Sequence, residues 1–332
     1  MLHWSDRWAN LREREIEGPN VAMTKSPPFV SVIVPHLNMP EQLLHCLQSL
    51  MGQGYPRDRF EVIVVDNGSS EVPLEVVDRF DGVRLEREMS PGPGPARNRG
   101  VAPARGDILA FIDADCTADK RWLETIAQRF EMNKGELILG GDVRIAIKDP
   151  QRLTMLEAYE SVFAYRQKEY IEKQGFSGTG NLAVRRHDFD AIGPFAGISV
   201  AEDRDWGRRA RSLGYDVVYM PEMIVFHPAR ENFDELFEKW NRHLRHDLQE
   251  YQRRGARKIR WVLRACAVAI SPIVDVRRIV GSHRISGFRA RVLALVALVR
   301  IRSYRAIRMI RLAIDDELAD AHIDWNKASG SD

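Results

Sequence analysis

A handful of short stretches carry the side chains that could do chemistry. Asp113 and Asp115, separated by Ala114, stand directly after the apolar run Ile108-Leu109-Ala110-Phe111-Ile112. Two carboxylates so placed can hold a hard divalent cation, Mg²⁺ or Mn²⁺, together with phosphate oxygens of a substrate. The bland alternative is that they cap the helix that follows. Asp66 heads Asp66-Asn67-Gly68-Ser69-Ser70 after a second apolar run. There it can accept hydrogen bonds from a base or a ribose, or only make a turn, because Asn-Gly is a strong turn signal. The segment Pro91 to Gly100 combines Gly92 and Gly94 with Arg97, Asn98 and Arg99. Glycine permits close backbone approach to a ligand, and arginine suits phosphate. Glu202 and Asp203 open a helical stretch after Gly193-Pro194-Phe195-Ala196-Gly197. Carboxylates in a first turn complement the helix dipole, and one of them can instead take a proton from a hydroxyl. His227 closes the apolar run Ile224-Val225-Phe226 and is either a metal ligand or a core histidine held by hydrogen bonds.

These residues need elements to position them. Phe29 to Pro35 is a short β-branched run closed by proline, as expected of a buried parallel strand. Pro40 to Met51 has apolar residues at helical spacing, ended by Gly52 and Gly54. Strands are expected at Glu61 to Val65, weakly at Val83 to Leu85, and at Ile108 to Ile112, with a short helix from about Ala96. Strands alternating with helices predict an α/β fold with a mostly parallel sheet flanked by helices. In such sheets ligands bind beyond the carboxyl ends of the strands. Asn38, Asp66, Asp113 and Asp115 all lie at such ends, so they converge on one edge. Farther on, the spacing predicts one or two strands over 136–147, an aromatic-rich amphipathic helix over 153–170, and a glycine-rich loop over 174–181. A helix over 202–213, a strand at 217–219 and a long polar helix over 233–251 follow.

Taken together and in order, these elements resemble the family 2 glycosyltransferases, which have a GT-A fold. The ordered set is Val-Ile-Val-Pro-His-Leu-Asn, Val-Ile-Val-Val-Asp-Asn-Gly-Ser, Gly-Pro-Ala-Arg-Asn-Arg-Gly, Phe-Ile-Asp-Ala-Asp, Gly-Thr-Gly-Asn and Glu-Asp-Arg-Asp. The resemblance runs from about Val30 to about Tyr251. It implies a nucleoside-diphosphate sugar as donor, with UDP, GDP or dTDP as the nucleotide, bound around Pro35, Leu37, Asn38, Asp66, Arg97, Asp113 and Ala114. By the same resemblance Asp66 contacts the base, Arg97 lies near the nucleotide, and Asp113 lies near the ribose or sugar. Asp115, with His227 as the further candidate, holds the metal. Gly178, Thr179, Gly180 and Asn181 line the donor sugar and the acceptor, and Asp203 is the base, with Glu202 beside it. The implied reaction is an inverting single displacement. Two departures matter: Leu37 stands where the family often has Tyr, and the Gln-x-x-Arg-Trp signature of processive synthases is absent. Transfer of one sugar to a glycan or lipid-linked acceptor is therefore expected.

Other classes fit less well. The glycine segment 91–100 lacks the G-x-G-x-x-G spacing and does not follow the first strand, which excludes a dinucleotide fingerprint. A sugar nucleotidyltransferase would place a glycine-rich loop where Pro35-His36-Leu37-Asn38 stands. A non-catalytic sugar-binding scaffold of the same fold is the alternative from another class, and the retention of Asp66, Asp113, Asp115 and Asp203 speaks against it. The 332 residues carry a net charge of only +2, and the three cysteines follow no metal-ligand spacing. The N-terminus reads as neither a signal peptide nor a membrane span, and the longest apolar run, Val292 to Val299, is too short to cross a bilayer. Between Arg253 and Arg311 sixteen Arg or Lys face one acid, Asp275, with apolar runs between them. Such a segment suits an anionic membrane surface, or else packs its apolar residues on the catalytic domain. No recognition motif points to nucleic acid. The expected organisation is an N-terminal arm (1–28), a catalytic domain (29–251) and a basic helical extension and tail (252–332). The expected location is cytoplasmic, peripheral on the inner face of the membrane.

Overall fold

The computed structural model describes residues 26–133, 135, 137–198, 200–253 and 258–314. Most of the expected N-terminal arm, and the tail from 315, lie outside the described residues.

The sheet begins with β1 (Val30–His36), followed by helix α1 (Pro40–Met51), β2 (Phe60–Asp66), α2 (Leu74–Val77), β3 (Val83–Arg87), α3 (Pro93–Val101) and β4 (Ile108–Ile112). Then come β5 (Thr117–Ala118), α4 (Trp122–Met132), β6 (Leu137–Ala146), α5 (Met155–Phe163), α6 (Gln167–Glu169) and β7 (Asn181–Arg185). Helices α7 (Arg186–Ile192) and α8 (Glu202–Ser212) lead into β8 (Asp216–Pro228). The strands form one sheet in the order β3-β2-β1-β4-β7-β6-β8-β5. Strands β1 to β4 run parallel, β7 is antiparallel to both β4 and β6, β6 and β8 are parallel, and β5 runs against β8. The sheet is thus mostly parallel, as expected.

Strands β1, β2 and β4 are buried nearly throughout, because both faces are covered. Val30, Val32 and Val34 pack with Leu43, Leu47 and Leu50 of α1 and with Trp122, Leu123, Ile126 and Phe130 of α4. Ile33, one residue out of phase, joins the opposite layer with Phe111, Phe189, Ile192, Trp206 and Ala210. The period of two along β1 therefore sets which helix each residue meets.

Several expectations are corrected. Helix α3 starts at Pro93, not near Ala96, since proline at a first helical position needs no N–H partner and has a suitable φ. The single helix expected over 153–170 is broken. Thr154 and Glu157 form a capping box that starts α5, which ends at Phe163. Tyr165 then takes φ 46°, and α6 and a π-helical turn (Tyr170–Gln174) follow. The separate runs 217–219 and 224–228 belong to one strand, β8, whose register against β6 shifts between Gly141 and Asp142. Residues 137–146 form one strand.

The chain ends in α9 (Phe233–Arg253), α10 (Lys258–Ile270), α11 (Pro272–Val280) and α12 (Gly287–Ile314). Leu298, Ile301 and Ala294 of α12 pack with Leu156 and Tyr159 of α5 and Leu236 of α9, and Trp261 of α10 packs with Met309, Leu312 and Leu244. Among the described residues no helix is long and apolar enough to cross a membrane.

Candidate active site

The site lies along the carboxyl ends of β1, β2 and β4. The β1–β2 register places His36 opposite Asp66, and both are buried. The Met39 N–H donates to His36 Nε2 at 3.1 Å, which leaves the ring proton on Nδ1, 3.4 Å from Asp66 Oδ1. Burial holds the His36 pKa below its ordinary value, against the opposing pull of Asp66. Asp66 Oδ2 is buried and accepts no hydrogen bond, with the Arg87 Nε 3.9 Å away. A buried carboxylate oxygen without a donor is a ready acceptor for an N–H or O–H of a ligand. Asn38, at φ 52°, ties the two loops together: its N–H donates to Ser69 Oγ at 2.9 Å and its Oδ1 accepts from the Ser70 N–H at 2.8 Å. Pro35 and Leu37 are half-buried on the same turn.

Asn67, read from the sequence as turn chemistry, is a staple as well. Its Nδ2 donates to the Glu88 and Ser90 carbonyls, and its Oδ1 accepts from the Gly92 N–H. Gly94 is approached not by a ligand but by the chain itself: a Cβ there would lie 2.1 Å from the Ala196 carbonyl oxygen. The following residues hold the segment before α8. Asn98 donates to the Phe195 carbonyl and accepts from the Phe195 N–H, each at 2.9 Å. Arg97 is buried, and its guanidinium spans two carboxylates, donating to Asp113 Oδ1 at 2.7 Å and to Glu202 Oε1 at 3.2 Å. Next to Glu202, Asp203 lies in the first turn of α8. Burial, and then the Glu202 charge, push its pKa above the ordinary carboxylate range. That is the environment of a proton acceptor tuned toward neutral pH.

Asp115 faces the other way. Its Oδ2 is 2.9 Å from His227 Nε2, while His227 Nδ1 donates to the Pro228 carbonyl at 2.6 Å. With the Nδ1 proton so engaged, the Nε2 lone pair points at a carboxylate, and only a cation between them relieves the contact. Asp115 accordingly holds the His227 pKa up against burial, which favours a shared proton. A divalent cation would replace that proton. Among the described residues no group of three or more His, Cys, Asp or Glu could hold a metal. Two protein ligands fit a Mg²⁺ or Mn²⁺ ion that takes its remaining ligands from substrate phosphates and water. The Tyr165 ring packs on His227 with centroids 4.6 Å apart and fixes its orientation. Ala114, between the two aspartates, is buried and lets them diverge.

The glycine-rich loop closes the site. A Cβ on Gly180 would lie 2.4 Å from Asp113 Oδ2, so this loop touches the aspartate. Gln167 Oε1 accepts from the Gly178 N–H at 3.0 Å, and Thr179 between them is buried. The Asn181 side chain is fully spent inside. It accepts from Trp122 Nε1 at 2.9 Å and donates to the Asp142 and Met223 carbonyls. Sequence reasoning missed His36, Trp122, Tyr165 and Gln167. Only His36 carried a signal, its place at the last position of a strand that ends in the site.

Comparison with known proteins identifies the family and the fold. The family model described as Glycosyl transferase family 2 matches residues 31–201. Glycosyltransferase AglE of Haloferax volcanii is 36% identical over 224 residues, which cover 65% of this chain and 72% of that protein. Two solved structures share the GT-A fold expected from the sequence. One is the mannosyltransferase PcManGT from Pyrobaculum calidifontis, in complex with GDP-Man and Mn²⁺, at TM-score 0.54 and 20% identity over 94% of each chain. The other is TarS of S. aureus in complex with UDP-GlcNAc, at TM-score 0.50 and 18% identity over 87% of this chain and 91% of that one.

Proposed function

The chain belongs to glycosyl transferase family 2 and is a nucleotide-sugar-dependent glycosyltransferase; from that premise we propose that it moves one sugar to an acceptor hydroxyl with inversion, using Asp203 as the base. The observation that carries this reading is the buried Arg97, which ties Asp113 on the donor side to Glu202, the neighbour of the base. One rigid guanidinium thereby sets the distance between the two halves of the reaction.

In this reading the free Oδ2 of Asp66 accepts an N–H of the base, and Asp113, held open toward Gly180, meets the ribose or the sugar. Asp115 and His227 would hold Mg²⁺ or Mn²⁺, which when bound would neutralise charge on the diphosphate. The relatives solved with GDP-Man and Mn²⁺ and with UDP-GlcNAc support donors of this class. Asp203 takes the proton of the acceptor hydroxyl, whose oxygen attacks the anomeric carbon opposite the nucleotide. The bond from that carbon to the phosphate oxygen breaks, and the configuration inverts. Proton NMR of the product tests this directly: from an α-linked donor the reading requires a β-linked product, and retention would overturn it.

The acceptor reading is a glycan or lipid-linked molecule at the inner face of a membrane. Its support is the face of the extension. Ile270, Ile273, Val274, Val280 and Phe288 are exposed there, among arginines such as Arg260, Arg264, Arg277 and Arg289. Apolar side chains flanked by cations suit an anionic bilayer surface. The division into a catalytic domain over 29–251 and an extension from 252 is part of the same proposal.

A further inference from the structure

Strand β6 is gripped at one point from two sides. Gly141 pairs with Met220 of β8 but Asp142 pairs with Ile224, so residues 221–223 bulge out of the ladder there. The pairing of β6 with β7 also ends at this point, at Gly140 opposite Leu182. A bulge takes main-chain carbonyls out of the ladder, and buried carbonyls need other donors. Asn181 supplies them: its Nδ2 donates to the Asp142 carbonyl at 2.9 Å and to the Met223 carbonyl at 2.8 Å. The fit is close, since a Cβ on Gly141 would lie 2.3 Å from both Asn181 Nδ2 and the Met223 carbonyl oxygen.

The second grip comes from the extension. Arg284, in the connection between α11 and α12, donates to Asp142 Oδ1 and, at 3.1 Å, to the Val143 carbonyl. The planar guanidinium thus holds two successive residues of one strand in a fixed geometry. Asp142 is buried, and its other oxygen accepts from Arg144 Nε at 2.8 Å. Charged donors on both oxygens make these the stronger kind of hydrogen bond. The backbone that carries Arg284 is itself anchored. Its N–H donates to Ser282 Oγ at 3.2 Å. Ile279 and Ile285, on either side, are buried with Leu156 and Tyr159 of α5.

From the bulge to the candidate site the path is short. Asn181 ends the glycine-rich loop, and Gly180 before it lies so near Asp113 that a Cβ would stand 2.4 Å from Oδ2. Asp113 is in turn bound to Arg97, which also binds Glu202. Arg284 therefore reaches Asp113 through three direct contacts: Arg284 with Asp142, Asp142 with Asn181, and Gly180 with Asp113.

We infer that Arg284 is a positioning residue for the transfer: through Asp142 and Asn181, the extension sets where the loop from Gly178 to Asn181 stands against Asp113. The inference rests on the glycosyltransferase reading and gives the extension a part in the reaction that needs no membrane contact.

The test is amide hydrogen exchange of the full chain, read by mass spectrometry, in the parent, in Arg284→Ala and in Arg278→Ala. Arg278 belongs to the same extension and pairs with Glu169, which keeps Arg166 at 2.9 Å and Lys173 at 3.6 Å when Arg278 is removed. In Arg284→Ala, exchange over 178–182 and 140–143 is expected to rise about ten-fold, with β1, β4 and α9 unchanged. Arg278→Ala is expected to match the parent. Release of nucleotide from UDP-GlcNAc and GDP-Man, with Mn²⁺ and with water as acceptor, adds a kinetic reading. There kcat should fall about ten-fold in Arg284→Ala, while the affinities for UDP and GDP stay as in the parent. Unchanged exchange over 178–182 in Arg284→Ala would overturn the inference. So would exchange raised equally over α9, α12 and the sheet, or raised alike in Arg278→Ala, because Arg284 would then only dock the extension. A loosened loop with full kcat would deny Arg284 a part in the transfer. A parent chain that binds no nucleotide would count against the catalytic reading alone, and the exchange pattern decides the coupling without it.

Discussion

Asp203 and Glu202 are adjacent carboxylates with different tasks. Glu202 is bound to Arg97, while Asp203 accepts only from the neighbouring Arg204 N–H at 2.7 Å and is pushed up by burial and by Glu202. In the proposed reading Asp203 is the base, and Asp203→Asn is expected to lower turnover by about 10² to 10⁴-fold. The sign for stability follows from the same shift. A carboxyl whose pKa is higher in the folded chain stabilises the fold below its unfolded pKa, and that contribution is lost as pH rises through the folded value. Above the folded pKa the ionised Asp203 therefore carries a cost, and Asp203→Asn should melt no lower than the parent in calorimetry at alkaline pH. The acid limb of kcat/KM reports the same group. Glu202→Gln removes the neighbouring negative charge and should move that limb to lower pH, whereas a move to higher pH would deny Asp203 the role. At this scale much of the candidate site was legible. Asp66, Asp113, Asp115, Glu202, Asp203 and His227 stand out by their places at strand and helix ends. The partnerships were not legible, because Arg97 meets Glu202 across 105 residues and His227 meets Asp115 across a strand pair. Asn181 enters the candidate site through the family resemblance, but only the fold reveals that Trp122 and two carbonyls engage it.

Among the elements, α3 holds the segment before α8 in place. Asn98 clips the Phe195 backbone, Gly94 gives room for Ala196, and Arg97 reaches α8. Asn98→Ala loses two hydrogen bonds, about 1–3 kcal/mol. It should increase amide exchange over 193–198 more than over β1 or β4, and lower kcat with little change in nucleotide affinity. Equal protection of that segment in both proteins would contradict the clip. Strands β1, β2 and β4 were readable because a short, continuous β-branched run bounded by turn residues fits a strand buried on both faces better than a helix. The antiparallel β7 was not readable, since its pairing with β4 and β6 depends on where the chain returns. The break after α5 was hidden because the aromatic spacing continues through Tyr165 and Tyr170, while the backbone at Tyr165 turns left-handed.

For the whole molecule the division of labour is between a sheet with its own two cores and an extension that packs on α5 and α9. The basic stretch packs part of its apolar residues on the rest of the chain, Trp261, Leu298 and Ile301 being buried, and leaves Ile273, Val274 and Phe288 exposed. If that outer face meets a membrane, Ile273→Glu with Val274→Glu should reduce co-sedimentation with vesicles of phosphatidylcholine and phosphatidylglycerol. Nucleotide binding should be kept. Added salt should weaken the association of the parent chain, since exposed charges are screened beyond about 8 Å at physiological ionic strength. The proposed transfer depends on a nucleotide held through a divalent cation at Asp115 and His227. The most direct measurement is titration calorimetry of UDP, GDP and dTDP, each with and without Mn²⁺, on the parent and on Asp115→Ala. One nucleotide is expected to bind, with Mn²⁺ required for full affinity, and Asp115→Ala should remove the metal requirement together with most of the affinity. Binding of equal strength with and without Mn²⁺, unchanged in Asp115→Ala, would contradict that mechanism.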